Sequence, residues 1–401
     1  MSNKVFVAGV GMIQFKKPGT NDPYDQMGEQ AIRLALADAG LQLSDVQQAY
    51  AGYVYGDSTC GQKALYRVGM TGIPLINVNN NCASGSSALF LARQAVASGA
   101  VECALAFGFE QMNPGALKSA WSDRAPATER ALSVTNELVG MPDLPNAIRQ
   151  FGGAGYAHMQ KYGTRLETFA KIRAKASRHA ANNPLAVFRN VVSAAEVLSA
   201  PVLWEGVMTR LMACPPTCGA AASIVVSEAF AKKHGLRTDV LIAGQALTTD
   251  LPSTYDAKDM IRVVGFDMTR MAAQLAYNQA GIGPKDIDVI ELHDCFAQNE
   301  LLTYEGLGLC AEGGAEQLVN DGDNTYGGEW VTNPSGGLLS KGHPLGATGL
   351  AQCYELTHQL RGSADRRQVE GARIAVQHNL GLGGACAVSY THLTLPTTPY
   401  V

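Results

Sequence analysis

The chain repeats itself once at long range, and such a repeat constrains a fold more than any local propensity does. VFVAGVG (Val5–Gly11) resembles VLIAGQA (Val240–Ala246), and both read as short buried strands. AIRLALADAGLQLSDVQQAYAG (Ala31–Gly52) matches AAQLAYNQAGIGPKDIDVIELH (Ala272–His293). Each is an amphipathic helix with a glycine C-cap, a loop containing Asp, then a strand. NVNNNCASGSSALFLARQAVASG matches GGLLSKGHPLGATGLAQCYELTHQLRG, and VECALAFG matches ARIAVQHN. The offset between partners grows from 235 to 241, 261 and 271 along the 401 residues. The second half therefore keeps a common core and lengthens its loops. Strands alternating with helices twice over predict an α/β protein with mostly parallel or mixed sheets and two halves about a pseudo-twofold axis.

The expected halves are residues 1–235 and 236–390. Within the first, about 115–201 has no counterpart. That segment is polar, centred on HMQKYGTRLETFAKIRAKASRHAANNP, and reads as a helical insertion over one face. Residues 391–401 depart from the pattern. SYTHLTLPTTPYV turns Thr- and Pro-rich where an apolar strand should run on; it reads as a flexible tail or, the favoured reading, as a non-native tail replacing a lost final strand.

Composition excludes several classes. A net charge of -4 gives no draw toward nucleic acid or an anionic membrane. Nine cysteines without a CxxC pair argue against a metal cluster or a disulfide framework, so no bound metal is expected. Neither a secretory signal nor an apolar membrane span is legible. The expected setting is the cytoplasm in a bacterium, or the peroxisome in a eukaryote, though the chain ends without a Ser-Lys-Leu-type signal.

The repeat singles out one cysteine. Aligning CASGSSAL on HPLGATGL puts Cys82 on His343, Gly85 on Gly346 and Leu89 on Leu350. Each of the pair should stand where a loop enters a helix, and the pseudo-twofold could bring both helix N-termini to one site. Helix dipole and histidine together would lower the thiol pKa and activate the cysteine. A buried structural thiol is the competing reading, and it suits Cys103 and Cys353. Two more strand ends should converge: ELHDCF, with His293, Asp294 and Cys295, and QHNLGLGG, with His378 and Asn379.

At these residues the sequence resembles the thiolase family, and within it the sterol-carrier-protein subgroup. NNNCASGSSALF resembles the nucleophile loop, HDCF the loop that reads Asn-Glu-Ala-Phe in many thiolases, and GHPLGATG the Gly-His-Pro loop. YGDSTCGQ, GDNTYGG and NPSGGLLSKGHP strengthen the subgroup resemblance. It implies a five-layered αβαβα fold with a loop-domain insertion, a homodimer, and acyl transfer to and from coenzyme A as cosubstrate. It implies Cys82 as nucleophile, His343 as its activator, His293 in one oxyanion hole, and backbone N–H groups of Cys82 and Gly381 in a second. The usual Cys-x-Gly near the C-terminus reads Asn379-Leu380-Gly381, so Cys295 becomes the implied acid/base. Cys218 replaces an aspartate found in many relatives. CoA phosphates would meet Lys171, Lys175 and Arg178, which share a helical face; an ordinary solvated face is the alternative. A condensing or aldolase-type relative and a non-catalytic lipid carrier are the competing functions; Cys82 speaks against aldol chemistry that lacks the nucleophile, and the Cys82–His343–Cys295 set against a carrier.

Overall fold

The computed structural model describes residues 3–113, 122–141 and 143–393. The start of the expected insertion (115–121) and the end of the expected tail (394–401) lie outside the described residues.

Twelve strands are present among the described residues: β1 Val5–Met12, β2 Gln48–Gly52, β3 Leu75–Val78, β4 Cys103–Glu110, β5 Val202–Trp204, β6 Met208–Thr209, β7 Gly219–Ser227, β8 Val240–Thr248, β9 Val289–Glu291, β10 Val331–Thr332, β11 Ile374–Gly381 and β12 Ala385–Leu393. Ten run in the order β10-β9-β11-β12-β8-β1-β7-β4-β2-β3, while β5 and β6 pair separately. Read from either edge, the order is the same five-strand pattern. The halves meet where β1 lies antiparallel to β8 at Phe6 and Leu241. In each half the outer three strands are parallel and the inner pairings antiparallel.

Three apolar cores account for five layers. The middle core joins Val7, Ala106 and Val225 of one half-sheet to Val289 and Ala375 of the other, through Leu89 and Leu350. Those leucines belong to the helices Ser84–Ala97 and Thr348–Leu360, which form the central layer. One outer core packs Ala31, Ile32 and Ala35 of the helix Tyr24–Ala39 against Phe6, Leu105 and Ile224. The other packs Ala272, Ala273 and Ala276 of the helix Phe266–Ala280 against Ile290 and Val376. Small residues let the helices sit close; burying each central leucine contributes about 1.5–3 kcal/mol. The layers are thus α, β, α, β, α, as the resemblance implied.

The insertion supplies helices Glu129–Val139, Asn146–Tyr162 and Leu166–Ala180. They cover the second half rather than their own, with Phe151 stacked on Phe296 at 4.9 Å. One expectation fails at the end of the chain. β12 continues to Leu393, with Thr391, His392 and Leu393 in register beside Ile242, Leu241 and Val240 of β8. The final strand is therefore not lost at 391. Main-chain hydrogen bonds on both edges hold it, and these do not depend on side-chain polarity.

Candidate active site

Cys82 stands two residues ahead of the central helix Ser84–Ala97. Asn81 turns the chain there, with φ 51 in the left-handed region that asparagine tolerates better than most residues. Ser84 Oγ accepts from Asn80 N at 2.9 Å and donates to Asn81 O at 2.6 Å, which closes the turn. β11 ends directly against it. A Cβ on Gly381 would lie 2.2 Å from Asn80 O, so only glycine lets the strand end reach the cysteine loop. Asn81 Nδ2 donates to Leu382 O at 3.0 Å and ties the two loops together.

His343 comes to the same place from the other half. Its helix starts at Thr348, and Pro344 O accepts from Ala347 N and Thr348 N, both at 2.9 Å. Cys82, His293 and His343 present sulfur and nitrogen atoms all within 4.8 Å of one another. The two imidazoles meet edge to face, with centroids 4.9 Å apart.

Hydrogen bonds assign His343 its proton. Thr348 Oγ1 is 2.7 Å from His343 Nδ1 and donates to Pro344 O at 2.9 Å. One hydroxyl has one proton, so Nδ1 must donate to Thr348. That leaves Nε2 as a lone pair, buried and with no partner. Burial, helped by the Lys341 charge, pushes His343 down to about 3, so the ring is neutral.

The thiol behaves differently from the sequence expectation. Cys82 is half-buried, and its surroundings push the thiol up to about 12, with Glu110 adding to the effect. The site thus holds a neutral thiol beside a neutral base, and desolvation of the thiolate outweighs the helix terminus. Glu110 itself rises to about 7 through burial, although three backbone N–H groups, of Val54, Tyr55 and Gly346, donate to it.

Cys295 is buried, and burial holds its thiol well above the ordinary value, with Cys214 and Cys82 as the next causes. Cys214 is a residue the sequence reading missed. Its N–H donates to Cys295 O at 2.9 Å, and its thiol is raised by burial and then by Cys82. Three thiols therefore share the site. Only the CPPTC spelling, which places Cys214 four residues before Cys218, could have drawn attention to it. Cys218 points elsewhere: it is fully buried and exchanges bonds with Met112 N and O, a structural role.

The loop carrying His293 and Cys295 is anchored by Asp294, whose carboxylate accepts from Leu338 N at 2.7 Å. His293 is lowered well below its usual value by burial and by the neighbouring His343 and His378. Its Nδ1 faces Asn379 Nδ2 at 2.8 Å.

One expected ligand is corrected. Lys175 is 2% exposed and pairs with Glu300 of the second half, beneath the insertion, so it cannot offer its charge to a phosphate. The helix Leu166–Ala180 is buried on more than one side, and Arg173, also buried, reaches Ser340 Oγ at 2.7 Å. Lys171 and Arg178 remain exposed, with Lys171 Nζ donating to Asn320 Oδ1 at 2.7 Å.

The same three donors, Cys82, His293 and His343, are a group spaced to suit a metal ion. The partner of His293 disfavours it: a ligating imidazole ordinarily donates from its far nitrogen, whereas His293 Nδ1 faces an amide donor.

Two half-sheets around a central helical pair, with a cysteine and a histidine at matched loop–helix junctions, define a thiolase-type architecture. Residues 5–193 match the thiolase N-terminal domain, and residues 251–394 the thiolase C-terminal domain-like family. The chain belongs to the thiolase family. It is 54% identical to sterol carrier protein 2 of Oryctolagus cuniculus, over 98% of this chain and 72% of that protein. It is 45% identical to the non-specific lipid-transfer protein-like 2 of Caenorhabditis elegans, over 98% of this chain and 97% of that one. Among solved structures, human mitochondrial 3-ketoacyl-CoA thiolase in complex with CoA superposes with a TM-score of 0.72 at 20% identity, covering 98% of each chain. An "Ltp2-ChsH2(DUF35) aldolase" superposes at 0.82 with 22% identity, covering 97% of this chain and 98% of that one. At those identities both show the fold alone.

Proposed function

We propose that the chain is a degradative thiolase that cleaves a 3-oxoacyl-CoA with free CoA through an acyl-Cys82 intermediate. The observation that carries this reading is the Cys82–His293–His343 cluster, in which every donor atom lies within 4.8 Å of the others. His343 Nε2 takes the thiol proton as Cys82 Sγ attacks the 3-keto carbon. The Cα–Cβ bond breaks, and its electron pair passes to the departing thioester as an enolate. Cys295 gives its proton to the enolate carbon, releasing acetyl-CoA, or propionyl-CoA from a 2-methyl substrate. Free CoA then gives its proton to the Cys295 thiolate and attacks the acyl-Cys82 carbonyl. Cys82 leaves as thiolate and recovers its proton from His343, so both thiols are restored. His293 supports the enolate oxygen, and the N–H groups of Cys82 and Gly381 the acyl carbonyl oxygen. Lys171 and Arg178 remain the cations proposed for the CoA phosphates. No helix among the described residues is long and apolar enough to cross a membrane.

The functional unit we propose is a homodimer. β3 closes the sheet with one unpaired edge and an exposed Ile76, which suits pairing with a second copy.

The test is thiolysis of acetoacetyl-CoA, a longer 3-oxoacyl-CoA and a 2-methyl analogue by purified protein. Turnover by the wild type and none by Cys82→Ala supports the reading. Equal turnover by both proteins would overturn it. Binding of acyl-CoA or free lipid without cleavage would favour a carrier, the activity that the relatives' names suggest.

A further inference from the structure

We infer that Asn379, held by Ser86 and Gln377, is a positioning residue that fixes the tautomer of His293, making its Nε2 a hydrogen-bond donor toward the thiol. The inference begins at a carbonyl. Gln377 Nε2 lies 2.9 Å from Gly349 O, which can only accept, so this end of the Gln377 amide is the nitrogen. The same nitrogen lies 2.8 Å from Ser86 Oγ. Ser86 accepts there and has one proton left to give. Its other partner is Asn379, with Oδ1 at 2.8 Å. If the Asn379 amide were reversed, its nitrogen would also donate to Ser86, and the Ser86 proton would lose this acceptor. The Asn379 orientation follows: oxygen toward Ser86, nitrogen toward His293 Nδ1 at 2.8 Å. A ring nitrogen that accepts carries no proton, so in neutral His293 the proton sits on Nε2.

The relay has no slack. Gln377, Ser86, Asn379 and His293 are all buried, where an unspent donor or acceptor is costly. A Cβ on Gly349 would fall 2.0 Å from Ser86 Oγ and 2.9 Å from Asn379 Oδ1, so glycine there lets the two central helices bring the hydroxyl to the amide. Asn379 and His293 are placed by the strands themselves. β11 runs parallel to β9 with Gln377 beside Glu291, and both side chains lie two residues further on.

The result is a matched pair of rings. Thr348 gives His343 a free lone pair at Nε2, and Asn379 gives His293 a hydrogen at Nε2. One ring accepts the thiol proton, and the other offers a donor to an oxygen that gains charge. A cysteine at position 379 could do chemistry but could not make this assignment. Asparagine there is thus more than a lost thiol. The geometric part of the inference is independent of any activity; its catalytic consequence rests on the thiolase reading above.

The test is the long-range proton–nitrogen NMR spectrum of deuterated, 15N-histidine-labelled full chain, with His293 assigned by its absence from His293→Gln. Nε2-protonated His293 in the wild type is the expected result. Nδ1-protonated His293 overturns the inference without recourse to any variant. Asn379→Asp presents an acceptor to Nδ1 and should move the proton there. Its kcat should fall about 10–100-fold, with KM within about twofold of wild type. Ser86→Ala, which frees the amide, should give a mixture of tautomers and a smaller loss of kcat. Unchanged tautomer and kcat in both variants would overturn the positioning role. The expected wild-type spectrum from a protein without thiolysis would sink the proposed function and leave this inference standing.

Discussion

Thr348 Oγ1 lies 2.7 Å from His343 Nδ1 while donating to Pro344 O, and this single hydroxyl decides which nitrogen faces Cys82. Thr348→Val keeps the shape and removes the acceptor. The ring is then free to place its proton on Nε2, which would block uptake of the thiol proton. The variant should lose kcat by about 10–100-fold, the usual range for an orienting partner. Its stability should fall by only about 1–3 kcal/mol, since one buried N–H loses its acceptor. Thr348→Ser should restore most of the rate. Steady-state thiolysis with parallel thermal melts separates the two effects.

The neutral pair predicts an unusual pH dependence. A thiol raised to about 12 stays protonated throughout the working range. Its thiolate fraction therefore climbs about tenfold per pH unit, with no plateau between about pH 6 and 9. Inactivation by iodoacetamide should follow that line. A plateau in this range would mean a preformed thiolate–imidazolium pair. On the acid side, His343 has a folded-state value of about 3 against an ordinary 6.5. A lowered histidine contributes stability that is present above the unfolded value and lost as pH falls toward the folded one. The acid limb of kcat/KM should thus track the loss of folded protein, not a titration of the base near 6.5. Circular dichroism and rate, measured on the same samples, test this.

The sequence carried these conclusions unevenly. The pairing of Cys82 with His343 was legible because both sit in loops that a repeat can align; the same repeat gave two α/β halves, while the five layers came from the family resemblance. The correspondence of β7 with β12 was not legible, since GAAASIVVS and ACAVSYTHL share a place in the strand order and little sequence. Lys175 shows a second kind of blindness. Spacing gave it a face in common with Lys171 and Arg178, but whether one residue of a face is covered depends on what packs beside it, here Glu300 and Tyr304. The thiol pKa was misjudged for a related reason. A helix terminus can be read from sequence, whereas the depth of desolvation around a side chain cannot.

Cys295 and Cys214 compete for the second proton. Their backbones are hydrogen-bonded, and each thiol feels both the other loop and Cys82. We assign the proton to Cys295. Cys295→Ala should lower thiolysis about 100-fold or more, within the range for loss of a general acid. Cys214→Ala should cost about threefold or less, because its thiol only fills space. Exchange of the methyl protons of acetyl-CoA in deuterated water reads the proton step directly. Exchange surviving in Cys295→Ala but lost in Cys214→Ala would reverse the assignment.

The Lys175–Glu300 pair separates stability from cosubstrate binding. Both side chains are buried, and Lys175 also reaches Tyr304 Oη at 3.3 Å. Lys175→Met strands the Glu300 carboxylate, and breaking a buried pair from one side costs about 3–5 kcal/mol. In a chain of 401 residues that lowers Tm by roughly 4–6 °C. The folded fraction should keep its KM for CoA, because this lysine never meets a phosphate. Lys175→Met combined with Glu300→Gln should recover part of the loss, since the charge left behind is gone. The double variant Lys171→Ser/Arg178→Ser should do the opposite, raising KM for CoA severalfold while Tm stays within about 1 °C, because exposed charges contribute little to stability. If Lys175→Met raised the KM for CoA and left Tm alone, the buried pair would be wrong, and Lys175 would have to join Lys171 and Arg178 at the surface.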